Sequence, residues 1–286
     1  MMSRGTGEAM TRLFLAAVSH PVLSRLTGRL ADLRVPRALL RPLLSMFIRA
    51  FGVDLAEVPE PVESYPTFNA FFTRRLREGA RPVATDPGVV VSPSDSWLRG
   101  IGAVPADGRF EQVKGLAYTL DALLGSEEDA LPFRRGVHAT LYLSPAMYHR
   151  VHSPVDGLVQ AWRYIPGRLF PVRGASVQSV PGLFTRNERV ALFLETEAHG
   201  AVAVVLVGAA NVGRIRLAFT DLVTNAGAPA TRVRSIDGVP VRRGQEIGAF
   251  NLGSTVIVLA ADPTLAPAGV SAGDIVRVGQ ALWRRA

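Results

Sequence analysis

Apolar residues near the start of the chain recur at the spacing of a helix. Between Leu23 and Leu33 the leucines return every three or four residues, and arginines take other positions around the same turns. The same period continues from Leu39 to Ile48, where Pro42 either kinks or delimits the helix. We therefore predict amphipathic helices that either pack on the domain with solvated arginines or lie in the interface of an anionic bilayer.

Further along the chain, the apolar pattern changes to short runs that are typical of strands. Residues 137–143 alternate between apolar and polar positions, which predicts a half-buried strand. The apolar runs 189–197 and 201–207 predict the two arms of a hairpin. The continuous β-branched and apolar run 255–259 predicts a strand that is buried on both faces.

Two segments, Val241–Gly248 and Val276–Leu282, share a V-x-x-G-Q pattern. This pattern is similar to the turns of a small hammerhead barrel of the biotinyl-domain type. We therefore expect an α+β fold, in which N-terminal amphipathic helices precede a mainly antiparallel β core with barrel-sandwich (biotinyl-like) character. The expected division is a helical region over residues 1–60 and a β-rich domain over residues 61–286.

Composition removes several kinds of chemistry. The 286 residues include no cysteine, which excludes disulfides, thiolate nucleophiles and cysteine-ligated metal centres. Lys114 is the single lysine, so a pyridoxal-phosphate enzyme would depend on that residue alone for its internal Schiff base. The apolar run 13–18 is shorter than a signal-peptide core, and the run 201–212 is too short to span a bilayer as a helix. We expect no segment that crosses a membrane.

Three patches of the chain supply a carboxylate, two imidazoles and a hydroxyl. They contain Asp95, the pair His149 and His152, and Ser254, which are the parts of a base-activated nucleophile. Each also has a purely structural interpretation: Asp95 as a turn cap after Ser-Pro, the histidines as partners of core polar groups or as ligands of a metal without an evident third ligand, and Ser254 as a strand start. Because Ser254 leads directly into an apolar strand, it is better placed to attack its own backbone than an external substrate.

Short runs spread over most of the chain are similar to the signatures of one enzyme family. The runs are Tyr65–Leu76, Arg81–Val83, Lys114-Gly115, Leu123–Gly125, Tyr148–His152, Pro166–Val172, Leu183–Val190 and Leu252–Thr255. They occur in the family's order, and the last of them resembles a self-cleavage site. The chain thereby resembles the bacterial phosphatidylserine decarboxylases. It departs from them at Ser96, where glycine is usual after the aspartate, and at Met147, where an acidic residue is usual.

The resemblance implies a pyruvoyl cofactor that is made from the chain itself. The chain would be cut between Gly253 and Ser254, and Ser254 would become the covalent pyruvoyl group that serves as the electron sink in decarboxylation. The resulting pieces, a β chain of residues 1–253 and an α chain of residues 254–286, are expected to remain associated. No metal is implied.

The resemblance also assigns a role to each polar side chain of the three patches. Asp95 would orient His152, and His152 would take the proton from the Ser254 hydroxyl during cleavage, as in a hydrolase triad that acts on its own chain. His149 would reprotonate the substrate after carbon dioxide has left. An imidazole suits both tasks, because its pKa lies near the working pH.

The implied activity converts phosphatidylserine to phosphatidylethanolamine and carbon dioxide through a pyruvoyl Schiff base. Eight arginines against two acidic residues give residues 1–50 a net charge of +6, which favours an anionic membrane surface as a partner. We therefore expect peripheral attachment to the cytoplasmic face of the inner cell membrane, with no nucleic-acid partner and with a homodimer left open. Two alternatives remain: a pyruvoyl-dependent decarboxylase of a soluble amino acid, and an unprocessed lipid-binding scaffold.

Overall fold

An eight-stranded antiparallel sheet forms the centre of the protein in the computed structural model. The structure describes residues 19–113, 116–172, 175–210, 214–225, 229–251 and 254–285. Four residues of the family-like runs, Lys114, Gly115, Leu252 and Gly253, lie outside the described residues.

Two helices near the N-terminus confirm the predicted helical pattern. Helix α1 spans Pro21–Ala31, so Leu33 lies beyond its end. Helix α2 spans Arg37–Phe51 and contains Pro42, which therefore does not delimit it. Gly52 ends α2 at a φ of 67°, a left-handed conformation that glycine adopts without steric cost. None of the described helices is long and apolar enough to cross a membrane.

The buried side of α2 attaches it to a short third helix, α3 (Phe68–Phe72). Leu40, Leu44 and Phe47 recur at helical spacing on that side and pack into one apolar cluster with Phe71 and Phe72. The ring of Phe72 also lies 4.1 Å from the ring of His149, measured between centroids. Helix α3 therefore connects the N-terminal helices to the histidine patch.

The remaining elements alternate along the chain. The other helices are α4 Leu120–Leu124, α5 Glu127–Ala130, α6 Ala175–Ser179 and α7 Leu183–Arg186, with 3₁₀ turns at Val62–Ser64 and Leu131–Phe133. The strands are β1 Val89–Val91, β2 Ser96–Ala103, β3 Arg109–Val113, β4 Leu116–Thr119, β5 Val137–Leu143, β6 Arg150–His152, β7 Gly157–Ile165, β8 Arg189–Thr196, β9 Gly200–Gly208, β10 Arg214–Leu217, β11 Thr231–Val241, β12 Glu246–Asn251, β13 Ser254–Ala260, β14 Leu265–Pro267, β15 Ile275–Val276 and β16 Ala281–Arg285.

The order of strands in the large sheet is β11-β7-β8-β9-β13-β5-β2-β15. Smaller sheets have the orders β10-β12-β6 and β1-β16-β14, and β3 pairs with β4. The predicted hairpin is confirmed by β8 and β9, which pair from Arg189 opposite Val207 to Thr196 opposite Gly200. Strand β13 lies inside the large sheet between β9 and β5, so its backbone is paired on both edges.

Both faces of the large sheet are covered. On one face, Val256 and Val258 of β13 belong to an apolar cluster, called the inner cluster, which also contains Val151 of β6 and Phe250 of β12. On the other face, Ile257 and Leu259 belong to an outer cluster with residues of α4 and α7. The prediction for β13 is confirmed, whereas the half-buried prediction for β5 is wrong, because the outer cluster also covers its second face.

The two V-x-x-G-Q segments fold into the same turn. Gly244 and Gly279 adopt φ angles of 78° and 84°, and the glutamine that follows each glycine accepts a backbone hydrogen bond through its side chain. The two segments therefore share the conformation of the turn. The described strands form separate sheets and no closed barrel, so the barrel-sandwich character is not confirmed.

Each of these turns holds a Ser-Pro loop by two backbone hydrogen bonds. The turn at Gly279 holds the Asp95 loop (residues 92–95), with Gly279 N–H donating to the Ser92 carbonyl at 3.0 Å. The turn at Gly244 holds the Asp156 loop (residues 153–156), with Gly244 N–H donating to the carbonyl of Ser153 at 2.8 Å. The repeated turn thus positions one of the two loops beside the candidate site.

Candidate active site

Ser254 is the first residue of β13 and is completely buried. It pairs with Leu143 of β5 on one side and with Gly208 of β9 on the other. Its Oγ atom has no hydrogen-bond partner among the described residues. A buried hydroxyl without a partner is uncommon in a folded protein and calls for a functional or structural reason.

The side chain of Ser254 faces the layer that carries the histidines. Side chains alternate between the two faces of a strand, so Ser254 lies on the same face as Val256, which belongs to the inner cluster. Strands β6 and β12 cover that face, and β6 ends at His152. Thr255 points to the opposite face.

His149 is a neutral, buried imidazole with one free nitrogen. Its Nδ1 lies 2.8 Å from the Met147 carbonyl, so Nδ1 carries the hydrogen, and its Nε2 has no partner among the described residues. Burial lowers the pKa of His149 to about 3. Phe250 N–H donates to the His149 carbonyl at 2.9 Å, which ties this residue to the end of β12 just before the predicted cleavage site.

His152 has both ring nitrogens engaged. Nδ1 lies 2.8 Å from the Gly244 carbonyl, and Nε2 lies 3.2 Å from the Tyr148 hydroxyl. Because a carbonyl only accepts, Nδ1 carries the hydrogen and Nε2 accepts from the hydroxyl. Burial lowers the pKa of His152, and the negative charge of Asp95 is among the smaller effects that raise it.

Asp95 is held by an arginine and a backbone amide. The Nε of Arg81 lies 2.9 Å from its Oδ1, and Val278 N–H donates to the same oxygen at 2.9 Å. The guanidinium of Arg81 also binds Glu57, whose Oε2 lies 2.7 Å away. Asp95 and His152 are not in hydrogen-bond contact in this conformation, so the predicted orienting contact is absent here, and the effect of Asp95 on His152 is electrostatic.

A small cavity lies beside the Asp95 carboxylate. Its volume is about 170 Å³, and Asp95, Arg81, Arg74 and Tyr148 are among the residues that line it. This volume is sufficient for water molecules, and the walls offer several polar partners. Asp95 and Tyr148, whose hydroxyl contacts His152, therefore line the same cavity.

The two departures from the family pattern have visible environments. Ser96 is buried, and its hydroxyl lies 2.7 Å from that of Ser94. Met147 contacts His149 through its backbone carbonyl, a contact that does not depend on the side chain. Neither residue separates the candidate side chains.

Sequence reasoning assigned no role to Arg81, Glu57, Tyr148 or Gly244. Arg81 and Tyr148 lie within the family-like runs, so a signal was present, but their contacts depend on residues far away in the chain. Among the described residues, no group of three or more histidine, cysteine, aspartate or glutamate side chains is arranged to hold a metal ion.

Comparison with known proteins gives a consistent result. A sequence model of the family described as phosphatidylserine decarboxylase matches residues 68–284. A protein of Anaeromyxobacter sp. (strain K), named phosphatidylserine decarboxylase proenzyme, is 44% identical over 283 residues, which cover 95% of this chain and 98% of that protein. Proteins of the same name from Marinobacter nauticus and Pseudomonas aeruginosa are 44% and 42% identical, covering 83% and 95% of this chain and 84% and 96% of their own.

Proposed function

The chain belongs to the phosphatidylserine decarboxylase family, and from this premise we propose that it is a proenzyme that cuts itself between Gly253 and Ser254 and then converts phosphatidylserine to phosphatidylethanolamine. The names of the relatives supply the reaction and the proenzyme state. The observation that carries the proposal for this chain is the Ser254 hydroxyl, which is fully buried, has no partner among the described residues and stands at the head of a strand paired on both edges.

The proposed cleavage is an attack of the Ser254 Oγ on the carbonyl carbon of Gly253. The peptide C–N bond breaks, and an ester joins the two parts of the chain. A base then removes the α-proton of Ser254, the Cβ–Oγ bond breaks, and a carboxylate is left on Gly253. Water replaces the amino group of the resulting dehydroalanine, ammonia departs, and a pyruvoyl group remains at position 254. Gly253 enters this scheme on its sequence position alone.

We assign the first proton transfer to His152, with Asp95 as its electrostatic support. His152 is neutral, and its Nε2 is an acceptor, which is the state required to take the proton from a hydroxyl. In the described conformation Tyr148 occupies that nitrogen, so the hydroxyl of Tyr148 must turn away before the transfer. The carboxylate of Asp95, which is paired with Arg81, stabilises the imidazolium that forms.

We assign the second proton transfer to His149. A pyruvoyl group at position 254 supplies an electron sink for the carbanion left when carbon dioxide departs from an α-amino acid. The Nε2 of His149, which has no partner among the described residues, is the atom that would return a proton to the substrate Cα. Because burial lowers its pKa to about 3, a protonated His149 readily gives up its proton.

Strand pairing supports continued association of the two pieces after cleavage. Strand β13 pairs with β5 and β9, β15 pairs with β2, and β16 pairs with β1. Each of these partners precedes residue 253. All seven residues of β13 are buried, so separation of the pieces would expose a continuous apolar strand to water.

Intact mass spectrometry of the purified protein tests the cleavage. We expect fragments 1–253 and 254–286, the second lighter by one ammonia than the same peptide with a serine terminus. Ser254→Ala is expected to give only the full-length chain and no turnover of phosphatidylserine. Ser271→Ala is the matched control, because Ser271 is an exposed serine of the same C-terminal piece, and this variant is expected to behave as the wild type.

Two results of this experiment contradict the proposal. A full-length wild-type chain without a C-terminal fragment favours an unprocessed lipid-binding scaffold. A cleaved protein that decarboxylates free serine but not the lipid favours a decarboxylase of a soluble amino acid.

We extend the proposal to peripheral binding at the cytoplasmic face of the inner membrane, because the leucines of α1 face outward, whereas an ordinary surface helix turns its apolar side toward the protein. Ser24 and Gly28 are its buried positions, whereas Leu23, Leu26 and Leu30 are 42%, 52% and 58% exposed. A helix with its small residues toward the protein and its leucines toward the outside, flanked by arginines, suits the interface of an anionic bilayer.

Vesicle sedimentation tests the membrane proposal. Replacement of Leu26 and Leu30 by glutamine is expected to reduce binding to vesicles that contain phosphatidylserine, because both side chains leave the bilayer. Leu131→Gln is the matched control, since Leu131 is 57% exposed but belongs to the 3₁₀ turn Leu131–Phe133 and not to α1. Equal binding of all three proteins would contradict a membrane role for α1.

A further inference from the structure

Strands β6 and β12 place an ion pair beside His152. Glu246 of β12 lies directly opposite His152 of β6 in the strand register. The Nη1 of Arg150 donates to both carboxylate oxygens of Glu246, at 2.8 and 2.9 Å. Directly paired residues of antiparallel strands have Cβ atoms about 5 Å apart. The charge of Glu246 is therefore close enough to the imidazole for a strong electrostatic interaction.

The ion pair is partly shielded from water and is held in place. The side chains of Arg150 and Glu246 are 16% and 28% exposed. The Nε of Arg150 also donates to the carbonyl of Thr73 at 2.9 Å, which fixes the guanidinium from the end of α3. Because water screens such a pair only in part, its charges act on a neighbouring group more strongly than those of a fully exposed pair.

Several polar and charged groups act on the His152 ring. Its Nδ1 contacts a backbone carbonyl and its Nε2 contacts the Tyr148 hydroxyl, so Glu246 acts on the ring through space. Burial has the largest effect on the pKa of His152 and lowers it, while the hydrogen bond to the carbonyl raises it. Glu246 and, to a smaller extent, Asp95 also raise this pKa, whereas the positive charge of Arg150 lowers it. Two carboxylates, and not one, thus favour the protonated ring.

The repeated turn shows that the fold does not require a carboxylate at this position. Each V-x-x-G-Q turn leads into a strand whose first residue lies opposite the residue just before a Ser-Pro loop. After the first turn this pair is Glu246 with His152. After the second turn it is Ala281 with Val91. Since an apolar pair occupies the same backbone arrangement, the charge of Glu246 calls for a reason other than architecture.

We propose that Glu246 supports His152 in self-cleavage, and that Arg150 limits this support by pairing with Glu246. This inference rests on the proposed function, in which His152 takes the proton of the Ser254 hydroxyl. The ring becomes positively charged when it takes that proton. Glu246 stabilises this charge and Arg150 opposes it. Both act through His152, so they are positioning residues rather than catalytic ones.

Titration of His152 in the uncut Ser254→Ala protein tests the two charges apart from cleavage. NMR signals of the imidazole, assigned with a His152→Gln variant, report its protonation over a range of pH. We expect Glu246→Gln to lower the pKa of His152, because a neutral amide does not favour the imidazolium. We expect Arg150→Gln to raise it, because the opposing positive charge is gone and Glu246 is left without its partner.

Self-cleavage of chains with the native Ser254 should follow the same order. We expect Glu246→Gln to slow the appearance of the C-terminal fragment about tenfold at pH 7, and Arg150→Gln to accelerate it about threefold. The acid side of the pH–rate profile should move to lower pH in the first variant and to higher pH in the second, because cleavage requires a neutral His152. An ion pair that only stabilises the fold would slow cleavage in both variants and leave the profile in place.

A double variant keeps the test valid if a single variant folds poorly, since each single change leaves one charge without its partner. Arg150→Val with Glu246→Ala introduces the side chains that the other copy has at the equivalent positions, Val89 and Ala281, so we expect it to fold. Its rate of self-cleavage should lie between those of the two single variants, because both opposing charges are absent. A rate below that of Glu246→Gln would show that the pair acts through packing and would overturn the inference.

Glu127→Gln is the matched control, because Glu127 forms an ion pair with Arg134 at 3.2 Å but is not among the groups that act on His152. It should titrate and cleave as the wild type. An unchanged pKa of His152 in both Glu246→Gln and Arg150→Gln overturns the inference and leaves the proposed function intact. Opposite shifts in a protein whose wild type never cuts itself would support the electrostatic coupling and refute the proposed function.

Discussion

The Asp95 loop and the Asp156 loop are two copies of one small structure. In each, the serine hydroxyl donates to the carbonyl two residues later, at 2.8 Å for Ser92 and 2.7 Å for Ser153. In each, one aspartate oxygen accepts a backbone N–H from the opposite turn, at 2.9 Å from Val278 and 3.0 Å from Arg243. The contact between aspartate and backbone is therefore part of the architecture and does not by itself mark a catalytic residue.

The two loops also hold one another. His152 N–H donates to the Pro93 carbonyl at 2.8 Å, and Val91 N–H donates to the Pro154 carbonyl at 3.0 Å. Val91 and His152 precede the two serines, so they occupy equivalent positions. One copy has a fully buried valine where the other has a histidine. The backbone geometry at this position therefore does not require an imidazole, because valine adopts the same geometry in the other loop.

Surroundings distinguish the two aspartates. The side chain of Asp95 is 10% exposed and binds Arg81, whose guanidinium also binds Glu57. The side chain of Asp156 is 69% exposed, and the nearest atoms of its ion pair with Arg243 are 3.9 Å apart. An ion pair screened by water contributes little, whereas a buried carboxylate keeps a strong field on its neighbours. Burial beside Arg81 thus distinguishes Asp95 from Asp156 and supports the role that we propose for Asp95.

The largest expected difference between the loops is in self-cleavage. Asp95→Asn should slow cleavage about a thousandfold, because it removes the charge that stabilises the protonated His152. Asp156→Asn should stay within about twofold of wild type. The rates are read from the appearance of the C-terminal fragment after synthesis. Equal rates for the two variants would mean that the carboxylates are only architectural.

The next difference concerns the arginines that face the two aspartates. Arg81→Gln leaves the buried carboxylate of Asp95 without its cation, while the partly exposed Glu57 keeps its ion pair with Arg277, and should lower the free energy of unfolding by about 3 kcal/mol. Arg243→Gln loses contacts to backbone carbonyls near Val89 and should cost about 1 kcal/mol. Urea unfolding in the Ser254→Ala background, where every chain is uncut, measures both. If Arg81→Gln lowered the free energy of unfolding less than Arg243→Gln, the ion pair of Arg81 with Asp95 would not be the more stabilising of the two.

The histidines near the two loops should respond differently to pH. The pKa of His149 is lowered from 6.5 to about 3, so below pH 6.5 the unfolded chain binds a proton that the folded chain refuses. Stability attributable to His149 is therefore complete above pH 6.5 and decreases as pH falls, by about 2 kcal/mol at pH 5. The His149→Gln variant should lose correspondingly less stability between pH 7 and pH 5.

His199, which lines a cavity with Asp156, supplies the control for this measurement. Burial lowers its pKa, but its contact with Asp262 opposes that effect, so His199→Gln should alter the pH dependence less than His149→Gln. The same urea series in the uncut background gives both values. A pH dependence that His149→Gln leaves unchanged would show that this histidine is protonated or exposed in the folded chain.

The smallest expected effect concerns the hydrogen bond between Tyr148 and His152. Tyr148→Phe removes the hydroxyl that occupies Nε2, so we expect self-cleavage to accelerate between about threefold and tenfold, the equivalent of one hydrogen bond. In a His152→Gln background the same change should have no effect on the rate. Slower cleavage in Tyr148→Phe would show instead that the hydroxyl holds His152 in its productive position.

Much of the fold was visible in the sequence because it depends on local pattern. The β-branched run after Ser254 predicted a strand covered on both faces, and the runs around Gly200 predicted a hairpin, both of which the structure confirms. The prediction that β5 is half-buried was wrong. Alternation of apolar and polar residues shows which face of a strand is polar, but it does not show whether other elements cover that face. The Ser-Pro-x-Asp motif occurs twice in the sequence, at residues 92–95 and 153–156. That the two copies form equivalent loops follows only from the turns that bind them in the structure.

The sequence by itself determined the family, the candidate residues Asp95, His149, His152 and Ser254, and the strand on which the serine stands, since these follow from residue identity and short-range order. Only the tertiary structure decided that Asp95 binds Arg81 and that the Tyr148 hydroxyl contacts the Nε2 of His152. These contacts join residues that are distant along the chain, and their strength depends on burial, which no local pattern specifies.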